Sequence, residues 1–108
     1  MRWSVETLGT IVDDEIASLP PSLQARLIRL MEMVESLGLE TLREPHVKHV
    51  EGKIWELRAK SGDGIARGLY VTAFGRRLIV LHVFEKKSQK MPIRALDIAR
   101  KRMKQVRK

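Results

Sequence analysis

The sequence predicts an α+β domain: an antiparallel β-sheet packed by two N-terminal helices, with a basic helix at the C-terminus. Three observations predict it. Leu23, Leu27, Leu30, Val34 and Leu37 recur at spacings of 4, 3, 4 and 3, which is the apolar stripe of an amphipathic helix. Three apolar runs follow residue 53, separated by glycine-bearing turns suited to antiparallel neighbours. Beyond Pro92, Leu96, Ala99, Met103 and Val106 are spaced 3, 4 and 3, and lysine and arginine crowd the remaining faces.

In chain order, Trp3, Val5 and Thr7 alternate with Arg2, Ser4 and Glu6, a first strand that ends at Gly9. From Thr10, the expected N-cap, Val12, Ile16 and Leu19 fall at helical spacing. Asp13, Asp14 and Glu15 lie in the first turn, where the helix dipole favours anions, and Pro20 stops the helix. Pro20-Pro21-Ser22 then opens the leucine-striped helix, and Gly38 is its natural C-cap. Residues 39–52 keep no steady period and contain Pro45 and Gly52, so they read as a loop with a short turn. Ile54–Lys60, Ile65–Thr72 and Arg77–Glu85 read as strands, joined through Ser61-Gly62-Asp63-Gly64 and Phe74-Gly75-Arg76, and a meander is the economical topology. The long helix is expected to cover one sheet face and leave the other free to present side chains.

With 108 residues, 44% hydrophobic and 31% charged, the chain fits one domain spanning 1–108 with a modest core. Its longest apolar runs, such as Leu78-Ile79-Val80-Leu81, are too short to cross a bilayer, and a soluble cytoplasmic protein with no membrane partner is expected. The absence of cysteine removes disulfides, thiolate metal sites and cysteine nucleophiles. Charge is divided unevenly. Residues 1–42 carry three arginines against seven acids, a net of −4, whereas residues 43–108 carry 18 cations against six acids, a net of +12. A basic C-terminal part suits nucleic acid, or an acidic protein, and carries no base preference.

Most of the chemistry lies between Lys53 and Pro92. Glu56 and Arg58 are two apart and share a face, with Trp55 and Leu57 on the other. Arg67 falls with Leu69 and Val71, and Tyr70 with Gly68 and Thr72, so Arg67 and Tyr70 meet only across a bulge or strand end. His82 shares a face with Phe84, and Lys86, Lys87 and Lys90 follow as the strand exits. Such a set suits RNA cleavage by attack of a 2′-hydroxyl on the adjacent phosphodiester. That reaction needs a proton acceptor, a proton donor and cations to stabilise the phosphorane, and it needs no metal. His82 or a lysine would be the base, with Arg58, Arg67, Lys86 and Lys87 supplying charge. Tyr70 or Phe84 would stack on an unstacked base, and Lys53 and Lys90 extend the cationic path. In Val80-Leu81-His82-Val83-Phe84, His82 also reads as an ordinary hydrogen-bonded sheet histidine. His46 and His49 stand three apart without further clear ligands, so neither a metal nor another cofactor is expected. Glu56 most simply pairs with Arg58 or a cross-strand cation.

Lys53-Ile54-Trp55-Glu56-Leu57-Arg58, then Ala66-Arg67-Gly68-Leu69-Tyr70, then Leu81-His82-Val83-Phe84-Glu85-Lys86-Lys87-Ser88-Gln89-Lys90-Met91-Pro92, resembles the phage-derived, HigB-like branch of the RelE/ParE toxin superfamily. The Leu19-Pro20-Pro21 junction and the Ile93–Val106 helix fit as well. The resemblance implies a RelE-like toxin of a type II toxin–antitoxin pair that cuts mRNA, often on the ribosome, and is silenced by a helix-turn-helix antitoxin. Carried over, it puts Arg58 and Arg67 on the scissile phosphate, Lys86 and Lys87 in the basic strand exit, His82 in the strand motif and Tyr70 at the family's aromatic position. An acidic-aromatic-histidine ending used by some relatives is missing, which leaves acid and base open. Two other functions suit the same fold: a ParE-like gyrase inhibitor that cleaves nothing, and a catalytically silent basic partner of a DNA-binding protein.

Overall fold

The computed structural model describes residues 2–86 and 90–106. Its elements are β1 (Ser4–Thr7), α1 (Thr10–Ala17), α2 (Pro21–Leu37), a 3₁₀ turn (Leu39–Thr41), β2 (Val47–Glu51), β3 (Ile54–Ser61), β4 (Gly64–Ala73), β5 (Arg77–Glu85) and α3 (Ile93–Met103). The five strands form one sheet in the order β1-β5-β4-β3-β2. The expected meander is present as β3 to β5, β2 extends it antiparallel to β3, and β1 adds in parallel to β5 with Ser4 opposite Arg77.

The leucine stripe forms α2 as predicted, burying Leu23, Leu27, Leu30 and Val34. It packs on β3 and β4 while α1 packs on β5, and this side of the sheet contributes Leu57, Ala59, Ala66, Tyr70, Leu78, Val80 and Val83 to the core. Gly38 closes α2 at φ +93°, a conformation an L side chain rarely adopts, and its N–H donates to the Val34 carbonyl at 2.9 Å. Thr10 is the first helical residue of α1, with Gly9 at the cap position. The polar contact near that end comes instead from the preceding strand, where the Thr7 hydroxyl donates to Asp13 Oδ1 at 2.6 Å.

Two expectations are corrected. Residues 47–51, read as loop, form the edge strand β2. Its two valines stand three apart, an odd spacing that ordinary strand alternation puts on opposite faces, so Val47 joins the α2-side core, Val50 packs on the other side, and no apolar repeat marks either face. The second sheet face is also not free. Helix α3 lies across β4 and β5, with Ala95 and Ala99 buried against Ile54, Leu69, Val71, Ile79 and Leu81. Its apolar stripe, small at Ala95 and Ala99, brings the helix close to the sheet, and only the end of that face away from α3 is left open.

Candidate phosphate-binding face

The strand register builds the site in rows. Lys48, Glu56, Leu69 and His82 stand opposite one another across β2 to β5; the next row holds Arg58, Arg67 and Phe84. In the third row Lys60 faces Ile65, whose carbonyl accepts the Lys86 N–H at 3.0 Å. Adjacent strands lie about 4.8 Å apart, so neighbouring side chains of a row lie side by side on one patch. Arg58, Arg67 and Phe84 therefore come together, and Lys86 continues their alternation at the strand exit.

A register shift shapes this end. Leu69 opposes His82 but Tyr70 opposes Val80, so Leu81 is the extra residue of a bulge in β5. Leu81 and His82 both face α3 as a result, and His82 stacks on Phe84 with ring centroids 5.3 Å apart. The bulge does not unite Arg67 with Tyr70. Tyr70, 1% exposed, is in the α2-side core, where burial pushes its hydroxyl pKa up; it is closed to a stacking base, in contrast to the role expected of it. Phe84, partly exposed beside Arg67, is the aromatic left for that task.

The electrostatics of the face turn on Glu56, 3% exposed and surrounded by cations. Burial raises its pKa, against the opposing pull of Arg67, Arg58 and Lys48. Arg58 Nε lies 3.4 Å from Glu56 Oε1, with the arginine side chain 20% exposed, whereas Arg67 is buried to 1% exposure. The two arginines thus differ in kind. Arg58 can meet a ligand directly; Arg67 acts from beneath the surface. Lys48, Arg58, Lys60, Arg67 and Lys86 against one buried carboxylate leave the face strongly cationic. Beside it opens a cleft of ≈ 270 Å³ lined by Pro45, His46, Arg58, Lys60 and Ile65. A larger hollow of ≈ 380 Å³ near Trp3, Trp55 and Tyr70 has no cationic lining residue and does not suit phosphate.

His82 is 9% exposed and its Nδ1 lies 3.0 Å from Glu15 Oε2. The same carboxylate accepts the Val83 N–H at 2.9 Å and Arg102 Nη1 at 3.0 Å, and Arg102 also donates to the Leu81 carbonyl at 2.9 Å. Strand β1 pairs β5 only as far as Val80, so Glu15 satisfies backbone that the partner strand leaves uncovered. This cluster ties α1, β5 and α3 together and commits one face of the His82 imidazole to structure.

Lys53 is exposed in the β2–β3 turn, five residues from Arg58 and so roughly 16 Å along the strand, outside the cluster. Lys90 is exposed just ahead of α3, and Lys87 lies outside the described residues. His49 packs edge-on against Trp55 and its Nε2 is 2.8 Å from the Gly52 carbonyl, apart from His46. Among the described residues no group of three or more His, Asp or Glu side chains is placed to hold a metal ion. Nor is any described helix long and apolar enough to cross a membrane. Two contributors were missed in the sequence, Glu15 and His46. The first carries no signal beyond being an acid in a helix, and the second lies in a stretch without periodicity that reads as loop.

Compared with solved structures, the chain is similar to a chain in the crystal structure of the archaeal RelE–RelB complex from Pyrococcus horikoshii OT3. The TM-score is 0.56 at 19% identity, covering 83% of this chain and 100% of the other, and shows a RelE-like fold. No curated protein matches the sequence. A family model described as phage derived protein Gp49-like matches residues 14–104, a span containing every row of the cationic face. The chain accordingly belongs to the Gp49-like family of phage-derived proteins.

Proposed function

We propose that this protein is the toxin of a type II toxin–antitoxin pair and that it cleaves mRNA, on the ribosome, without a metal. The observation that carries the proposal is the clustering of Arg58, Arg67 and Phe84 in one row, with Lys48, Lys60 and Lys86 around them and a single buried carboxylate within. Cations on a rigid sheet stabilise the extra negative charge of a phosphorane, and guanidinium geometry suits phosphate oxygens. Arg58 contacts the scissile phosphate. Arg67 sets the local potential from beneath the surface, Lys86 supplies charge at the rim, and Phe84 stacks on a base. His82 positions the strand through Glu15 and Phe84. The likeness to a RelE–RelB complex supports an antitoxin as partner; the resemblance to HigB-like toxins gives that antitoxin a helix-turn-helix fold.

The test is brief induction of wild type and of Arg58→Ala in cells, mapping new RNA 5′ ends on a translated message within minutes. New ends with wild type alone are expected. Growth arrest without new ends would sink the nuclease reading and turn attention to gyrase.

A further inference from the structure

We infer that His46 is the group that takes the 2′-hydroxyl proton, working from the cleft it shares with Arg58 and Lys60. This assignment rests on the nuclease reading above. The placement of His46 is built by backbone, not by chance exposure of a loop. Its carbonyl accepts the Arg58 N–H at 2.9 Å and its own N–H donates to the Arg43 carbonyl at 2.9 Å, so the residue is clamped beside the arginine proposed to meet the phosphate. Pro45, Arg58, Lys60 and Ile65 complete the cleft, whose ≈ 270 Å³ admits a phosphodiester and part of a ribose. His82 is the alternative imidazole. It is 9% exposed, its Nδ1 is within 3.0 Å of Glu15, and its ring is stacked on Phe84, which together deny it the approach to substrate that exposed His46 has.

In the reaction, the 2′-oxygen bonds to phosphorus as its proton passes to the His46 imidazole, and Arg58 and Lys60 offset the charge gathering on the phosphate oxygens. The bond from phosphorus to the 5′-oxygen breaks and that oxygen takes a proton from water. The resulting hydroxide is neutralised by the imidazolium proton, so nothing is consumed, and the products are a 2′,3′-cyclic phosphate and a 5′-hydroxyl. The charged groups that share the cleft with the imidazole are Arg58 and Lys60 on β3, and Arg43, Glu44 and Lys48 flank His46 along the chain.

The experiment measures cleavage of a translated message by wild type, His46→Ala and Arg58→Ala across pH 5.5 to 9, alongside binding of a short RNA. Because His46 holds its place through backbone atoms, His46→Ala should fold and bind RNA as wild type does. Its turnover should fall by about 10²–10⁴-fold, the acid limb of the pH profile should disappear, and added imidazole should restore part of the rate. Wild-type cleavage with an unchanged rate and pH profile in His46→Ala overturns the assignment alone. A wild-type protein that binds RNA and cuts none overturns the nuclease reading and this assignment with it.

Discussion

Arg67→Ala should unfold this protein more readily than it disables its surface, and Arg58→Ala should do the reverse. Arg67 is 1% exposed on the same sheet face as Glu56, itself 3% exposed. Deleting one member of a buried charge group commonly costs 3–5 kcal/mol, because the partner charge is left uncompensated. Here Arg58, 3.4 Å from Glu56 Oε1, and Lys48 remain to offset the carboxylate, which puts the cost at the lower end, about 3 kcal/mol. For a domain of this size that is a fall in Tm of roughly 12–24 °C. Arg58 keeps 20% of its side chain in solvent, so its removal should cost about 1 kcal/mol while weakening RNA binding. Thermal unfolding and RNA titration of the two variants, each at a temperature where both are folded, separate these effects. Adding Glu56→Gln to Arg67→Ala should recover about 1–2 kcal/mol by removing the stranded carboxylate. A Tm for Arg67→Ala within about 4 °C of wild type would refute the reasoning, and the buried arginine would then be incidental to the fold.

The remaining predictions concern the groups around this pair. Burial raises the Glu56 pKa above 4.5, so the folded state binds the extra proton; the stability this contributes is fully present below 4.5 and is lost as pH rises through the folded value. Glu56→Gln should therefore gain stability relative to wild type between about pH 4 and pH 7 in urea unfolding, and an equal difference at both pH values would count against it. Glu15→Ala removes acceptors of the Val83 N–H and of Arg102 and should cost about 3 kcal/mol, with Glu15→Gln near half of that; a loss below about 1 kcal/mol for Ala would show the three-element tie to be weak. Lys60→Ala with Lys86→Ala should reduce the slope of log K against log salt for single-stranded RNA by about 1.4, as two phosphate contacts require, and an unchanged slope would remove both lysines from the path of the RNA.

Legibility in the sequence followed the range of the forces involved. The α2 stripe, the three central strands and the amphipathic C-terminal helix were readable because each is a local period of apolar residues over several turns or pleats. The pairing of Glu56 with Arg58 on one face, and of His82 with Phe84 on another strand, followed from the same alternation. Strand β2 was unreadable because its two valines, Val47 and Val50, are three apart and so fall on opposite faces, leaving neither face an apolar repeat. Tyr70 reads as a stacking aromatic by residue type, although its own alternation already separates it from Arg67.

By itself the sequence determined the fold class, the order of the elements other than β2, the cationic character of the C-terminal two-thirds and the set of side chains available for phosphate chemistry. Tertiary structure decided which of those side chains do what. The β5 bulge turned Leu81 and His82 toward α3, and α3 covered the half of the sheet face expected to be open. Packing left Arg58 at the surface while sealing Arg67 and Glu56 beneath it. Chain contacts distant in sequence brought Glu15 to His82 and set His46 beside Arg58. The physical reason is one of range. Periodicity fixes which residues share a face, but register, bulges and long-range packing fix which faces are covered and which neighbours meet across strands.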